Sequence, residues 1–484
     1  MKTITVIYDD RKMPGRQVRA ITGDKSFGET ILKRVALSER MHRISLKSKN
    51  VYDFIILKDD EDFQKLNQKL ISSKTPENSG FFYLYSNFGV KDESEYLSLL
   101  AKCSYVEDVY RALCTEAVAA YLLPDRETLF AQEERLTSRV LVADDIDQDA
   151  FTDLSLQSNF LAYITGGFDA RFFNALEGDS YTVTKKSAKI DKIKSEYNFY
   201  GMLPDHMKKW FVMPYDYRED KNGASYTMER IHTTDIAIRF VHGAVGPREM
   251  EDILEKLFYF LGSRQQKQVS GQESVAVSDR LYLEKVRERM EELEKYPQYR
   301  QFDEMIAMGT SYGGIKELTD AYEELFIRKR DAAGRGKKTK KDVLVIGHGD
   351  LCFSNILYSQ SAGLIKLIDP KGAMTEEEMY TDPYYDIAKL SHSVCGGYDF
   401  FNSGLYQVSL DRDLKWNLNL DTSLEPYRDI FYSYLERDGY DVAYVRICEA
   451  GLFLSMLPYH IDQPGKVFGF LLNAIRIMEE VKSV

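Results

Sequence analysis

The stretch "VIGHGDLCFSNIL", residues 345–357, sets a histidine, an aspartate and an asparagine between apolar flanks that read as buried. A polar group at a buried strand end costs on the order of a few kcal/mol unless it is paired or put to use. Nineteen residues after Asp350 the strand-like run "LIKLID" ends on a second carboxylate, Asp369. A loop, a strand, the short turn "SQSAG" and a returning strand use up that length. The spacing therefore predicts that the two acids meet at one end of a hairpin.

Phosphoryl transfer from ATP needs a carboxylate to orient and deprotonate the attacking hydroxyl, and oxygen ligands to hold Mg2+ against the phosphates. Asp350 suits the first task. Asn355, five residues on, and Asp369 suit the second. His348 stands with Asp350 as a catalytic candidate, and its expected part is to order the loop by hydrogen bonds.

The pattern H-G-D-x-x-x-x-N, carried by His348, Gly349, Asp350 and Asn355, resembles the catalytic loop of the aminoglycoside phosphotransferase and choline kinase group of kinase-like enzymes. Ile368, Asp369 and Pro370 match that group's metal-binding I-D-P, and "DPYYDIAKLSHS" supplies its further aspartate, Asp386, to brace the loop. Upstream, "YTVTKKSAKIDKIKSEYNFYGMLP" is similar to the group's third strand and following helix. The resemblance implies that Lys185 holds the ATP phosphates and that Glu196 pairs with it. Lys186 is the competing register, and alternation from Val183 favours Lys185. "SYTMERI" resembles the hinge between lobes, where Met228, Glu229 and Ile231 would meet adenine. The group's glycine-rich phosphate loop is reduced here to "ALEGDSY", with the single glycine Gly178.

The resemblance spans about residues 165–484 and implies a bilobal, protein-kinase-like α+β fold, with an N-lobe over 165–245 and a helical C-lobe over 246–484. It implies an ATP- and Mg2+-dependent kinase acting on a small-molecule hydroxyl, on a sugar or amino alcohol, and by analogy a role in surface-polysaccharide biosynthesis. The alternative is a nucleotide-binding pseudokinase or regulatory scaffold that keeps the fold without turnover.

The first third lies outside that resemblance. "MKTITVIYDD", "YDFIILKDD" and "GFFYLYSNFG" are β-branched and aromatic runs closed by acidic, Gly or Asn residues, so they predict strands. "EDFQKLNQKLISS" between them has a helical pattern, which gives an α/β domain of unknown role over about 1–120. The polar segment 121–164 reads as a connection, and the basic run "RKRDAAGRGKKTKK", residues 328–341, reads as a surface loop. That run has no Walker-type spacing.

A chain of 484 residues exceeds one hydrophobic core. Its net charge of −12 argues against a nucleic-acid partner, which would leave a basic footprint over a whole domain. No apolar run is long enough for a transmembrane segment and no secretion signal is read at the N-terminus. The five cysteines form no CxxC pair, so a cytoplasmic protein with buried free thiols is expected.

Overall fold

A computed structural model describes residues 2–32, 34–147, 149–165, 174–178, 181–335 and 342–483. The chain divides into two compact units, residues 1–169 with 242–244, and residues 170–241 with 245–484.

The first unit is α/β, built on a six-stranded mixed sheet. Strands Ile4–Asp9, Val51–Leu57 and Gly80–Tyr85 come from the three expected runs, and they lie parallel with Ile4–Asp9 in the middle. Strand Ala117–Leu123 pairs antiparallel with Gly80–Tyr85, followed by Tyr110–Cys114 and Asp144–Asp147. Every residue of Ile4–Asp9 and Gly80–Tyr85 is buried, as expected where helices cover both faces of a sheet. Segment 121–164, expected as a connection, is part of this unit. It finishes one strand of the sheet, contributes the edge strand Asp144–Asp147, and carries helix Gln157–Thr165. Its acidic residues suggested a linker because an edge strand has one side in water, where polar side chains cost nothing.

The second unit has the order of elements expected of a kinase-like fold. A four-stranded antiparallel sheet runs in the order Asn174–Gly178, Thr182–Ser187, Gly223–Glu229, Pro214–Asp220. Helix Ile190–Met202 packs on it through Ile193 and Glu196, buried three residues apart, while its buried Phe199 joins the larger core beside Phe211. Ile193 meets Ala224 and Tyr226 of the sheet in a small core of its own.

The remainder is largely helical around one extended core, with helices Pro383–Val394, Val442–Leu454 and Pro464–Lys482 at its centre. These three are buried nearly all round, their few charged side chains included. Within this part, Ile356–Ser359 and Leu364–Leu367 form the expected hairpin. Strand Asp342–Ile346, which leads into the loop, joins Gln266–Val269 and Tyr380–Thr381 in a separate three-stranded sheet. The first part of the basic run is also different from expectation. Helix Ile315–Ala332 extends through it, Arg330 pairs with Asp279, and Arg335 pairs with Asp382 at 2.8 Å. Residues 336–341 lie outside the described residues. Among the described residues no helix is long and apolar enough to cross a membrane, and all five cysteines are buried free thiols.

Candidate active site

Strand Thr182–Ser187 turns alternate side chains inward, so Lys185 is buried while Lys186 is exposed. Of the two lysines, Lys185 is the one turned inward. Lys185 Nζ lies 2.7 Å from Glu196 Oε2 and 2.9 Å from Asp369 Oδ1. Tyr226, directly across the sheet from Lys185, donates its hydroxyl to the same Glu196 oxygen at 3.0 Å. Burial works against the ammonium, but the carboxylates of Asp369 and Glu196 outweigh it and hold the Lys185 pKa above its ordinary value. A fixed cation is thus tied at once to the sheet, the helix and the acid that follows the hairpin.

The hairpin brings the other groups to the same end. Ile356 pairs with Leu367, and the Ile368 amide donates to the Asn355 carbonyl at 3.0 Å, so Asn355 and Asp369 leave the hairpin side by side. Asp369 has φ +54°, in the left-handed region that non-glycine residues rarely adopt. Such strain persists only where surrounding contacts over-determine it, and here the Lys185 bond on its carboxylate is one of them.

Asp386 braces the loop from helix Pro383–Val394. Its carboxylate accepts the amides of His348 and Gly349 at 2.9 and 2.8 Å, and Arg264 donates to it at 3.0 Å. His348, a catalytic candidate with Asp350 from the sequence, is fully buried and stacked on Phe211 with ring centroids 5.8 Å apart. Its Nδ1 accepts the Asp350 amide at 3.2 Å, and its Nε2 faces the Ile368 carbonyl at 2.9 Å. Those two partners require the proton on Nε2. Burial lowers the His348 pKa, so the ring is neutral. With both nitrogens engaged on the backbone it orders the loop and has no free position for proton transfer. Gly349 between them has φ +79°, and a Cβ there would meet Lys371 Cβ at 2.6 Å.

Asp350, like Asp369, is half-exposed. Asn355 Nδ2 donates to the Asp350 carbonyl at 2.8 Å and to its Oδ2 at 3.1 Å, while Lys389 Nζ lies 2.9 Å from Oδ1. The amide nitrogen of Asn355 is spent on Asp350, which leaves the amide oxygen as the donor a metal could use. That oxygen and the carboxylate of Asp369, 41% exposed, are hard oxygen ligands of the kind Mg2+ takes alongside phosphate and water. Among the described residues no group of three or more His, Cys, Asp or Glu could hold a metal. A site completed by a nucleotide's phosphates fits this donor set.

Met228 and Glu229 close strand Gly223–Glu229 opposite Val183 and Thr182, and Ile231 follows at the exit from the sheet. Met228 and Ile231 are half-buried and Glu229 is exposed. The Arg230 amide donates to the Tyr181 carbonyl at 2.9 Å, tying this exit to the lysine strand. Gly178, the single glycine of the reduced phosphate loop, is the last residue of strand Asn174–Gly178, opposite Val183. Residues 179 and 180 lie outside those described.

Three residues of this constellation escaped sequence reasoning: Tyr226, Arg264 and Lys389. Tyr226 could have been found from strand alternation, because it shares a face with Ala224 and Met228. Arg264, just beyond helix Pro247–Ser263, has no local signal; its partner is 122 positions away. Lys389 lies inside a quoted motif, yet nothing in "DIAKL" indicates what it touches.

No family model and no curated protein matches the chain. Among solved structures, the chain is similar to a thermostable mutant of the aminoglycoside phosphotransferase APH(4)-Ia in its apo form, at 11% identity over 67% of this chain and 99% of that one, with a TM-score of 0.37. A ternary complex of that enzyme with ADP and hygromycin B matches at 10% identity over 67% and 98%, with a TM-score of 0.38. APH(3'')-Id from Streptomyces rimosus, in complex with ADP and streptomycin, matches at 14% identity over 62% and 97%, with a TM-score of 0.32.

Proposed function

We propose that the second unit is an ATP- and Mg2+-dependent phosphotransferase acting on a hydroxyl of a small molecule, a sugar or an amino alcohol. The observation that carries this is the position of Lys185, bonded to Glu196 and to Asp369 at 2.7 and 2.9 Å, at the hairpin end where Asn355 and Asp350 also sit. One buried cation for phosphate, two oxygen donors for a metal and one half-exposed carboxylate are the parts phosphoryl transfer uses, since that chemistry depends on positioning and charge more than on covalent steps.

In this assignment Met228, Glu229 and Ile231 border the adenine and Lys185 binds the phosphates. Asp369 and Asn355 would hold Mg2+, which when bound neutralises phosphate charge. Asp350 accepts the proton of the acceptor hydroxyl as its oxygen bonds to the γ-phosphorus. The bond from that phosphorus to the bridging oxygen breaks, and ADP leaves. Asp386 and His348 keep the loop in register throughout.

The test is ATP consumption by the full chain with Mg2+ against a panel of sugars and amino alcohols, with Mg–ATP binding followed separately. A phosphorylated acceptor supports the assignment. Tight nucleotide binding with no product from any acceptor or from water would make the chain a nucleotide-binding scaffold instead.

A further inference from the structure

Helix Pro383–Val394 sends two charged side chains to the loop. Asp386 holds its backbone; Lys389, almost one turn further on, reaches the side chain of Asp350. The two partners are unequally placed, with the Lys389 side chain 12% exposed and that of Asp350 43% exposed. Water could satisfy the carboxylate, whereas the ammonium depends on it.

Fold stability does not account for a lysine there. Every other residue of this helix is buried, so an apolar side chain suits the position, and the Asp350 carboxylate it would leave behind is half in water. Burial works against the Lys389 charge and Asp350 more than restores it, raising the ammonium's pKa. The neighbouring phenol of Tyr385 accepts from Lys285 Nζ at 3.2 Å. Burial opposes ionisation of that phenol, yet Lys389 and Lys285 together draw its pKa below the ordinary value.

Asp350 is therefore gripped on Oδ1 by Lys389 and on Oδ2 by Asn355, at 2.9 and 3.1 Å. Two donors on separate oxygens fix the plane of a carboxylate as well as its position. Between Asp350 and Asn355 the loop itself carries no cation: Leu351, Cys352 and Phe353 are buried and Ser354 is neutral. Lys185 is tied to Glu196 and Asp369. The base must still remain in place when the phosphates of Mg–ATP bring negative charge against it.

Resting on the phosphotransfer assignment above, we infer that Lys389 is the positioning residue of the base. It aligns the Asp350 carboxylate toward the acceptor and offsets the negative charge that gathers around it, from a helix and not from the catalytic loop.

The experiment measures ATP turnover by the full chain with Mg2+, offering water, sugars and amino alcohols as acceptors. Mg–ATP affinity is read separately by displacement of a fluorescent ATP analogue, and folding by Tm. Lys389→Met should lower turnover about a hundredfold, the scale of losing one preorganised charged contact, and leave affinity within about twofold. Its Tm should be unchanged or higher. Lys389→Arg should recover about tenfold over the methionine variant, because it restores a donor and a charge at slightly altered geometry. Turnover of Lys389→Met near the wild-type rate overturns the inference. So does a parallel loss of turnover, affinity and Tm, or an arginine variant no better than methionine, since each marks a purely structural lysine. Failure of the phosphotransfer assignment looks different: the wild type itself then binds Mg–ATP and consumes none with any acceptor, and the inference falls with it.

Discussion

Arg264 and Asp386 meet at 3.0 Å with side chains 1% and 0% exposed, and the same carboxylate accepts the amides of His348 and Gly349. A residue just past one helix thereby holds the aspartate that holds the loop. Removing one member of a buried ion pair strands the other without water. Arg264→Met should cost roughly 3–5 kcal/mol, read as a lower urea midpoint, and should reduce turnover as the loop loses its brace. An unchanged midpoint would mean that Asp386 is satisfied without Arg264.

Asp350→Asn keeps the shape and removes the base. Turnover should fall by roughly two to four orders of magnitude, the scale of general-base loss, while Mg–ATP affinity stays within about twofold. Steady-state rates and an equilibrium nucleotide titration separate the two effects. A fully active Asp350→Asn would sink the phosphotransfer assignment.

Asp369→Asn and Lys185→Met act on the opposite side of the transferred group. Each removes charge that meets the phosphates in both ground and transition states, so each should weaken Mg–ATP binding, by about tenfold or more, as well as turnover. In Lys185→Met the buried Glu196 also loses its ammonium and keeps, among the described residues, the Tyr226 hydroxyl at 3.0 Å and the more distant Lys192 at 3.7 Å, so a lower Tm should accompany the binding defect. Binding by either variant that matches the wild type would show that these groups do not touch the nucleotide.

Asp399 gives a pH signature apart from the chemistry. It is 2% exposed, and burial pushes its pKa up to about 7. A carboxyl whose folded value lies above the unfolded value of about 3.9 favours folding fully below pH 4, and that contribution is lost as pH rises through 7. Asn cannot ionise. Asp399→Asn and the wild type should therefore have similar Tm near pH 4, and the variant should be a few degrees more stable at pH 8. A gap of equal size at both pH values would count against an ionising Asp399.

Much of the site was legible beforehand because its parts are local. Asp350 and Asn355 share one loop, a hairpin of definite length returns Asp369 to them, and strand alternation alone distinguishes Lys185 from Lys186. β-branched and aromatic runs likewise marked the parallel strands of the first unit, two of which are buried along their whole length. Other features depended on partners distant in the chain. The strand Asp342–Ile346 pairs with Gln266–Val269 and Tyr380–Thr381, partners that its own residues do not announce. Segment 121–164 reads as a linker until its strand Asp144–Asp147 is found on the edge of a sheet, and Arg330 and Arg335 read as loop charges until Asp279 and Asp382 neutralise them. Arg264 and Lys389 are the clearest cases. A charged side chain is unremarkable in sequence, and its energy is set by burial and by the atom it faces. Local pattern therefore determined which residues could carry the chemistry, and only the packing of helix Pro383–Val394 against the loop decided which cations hold them.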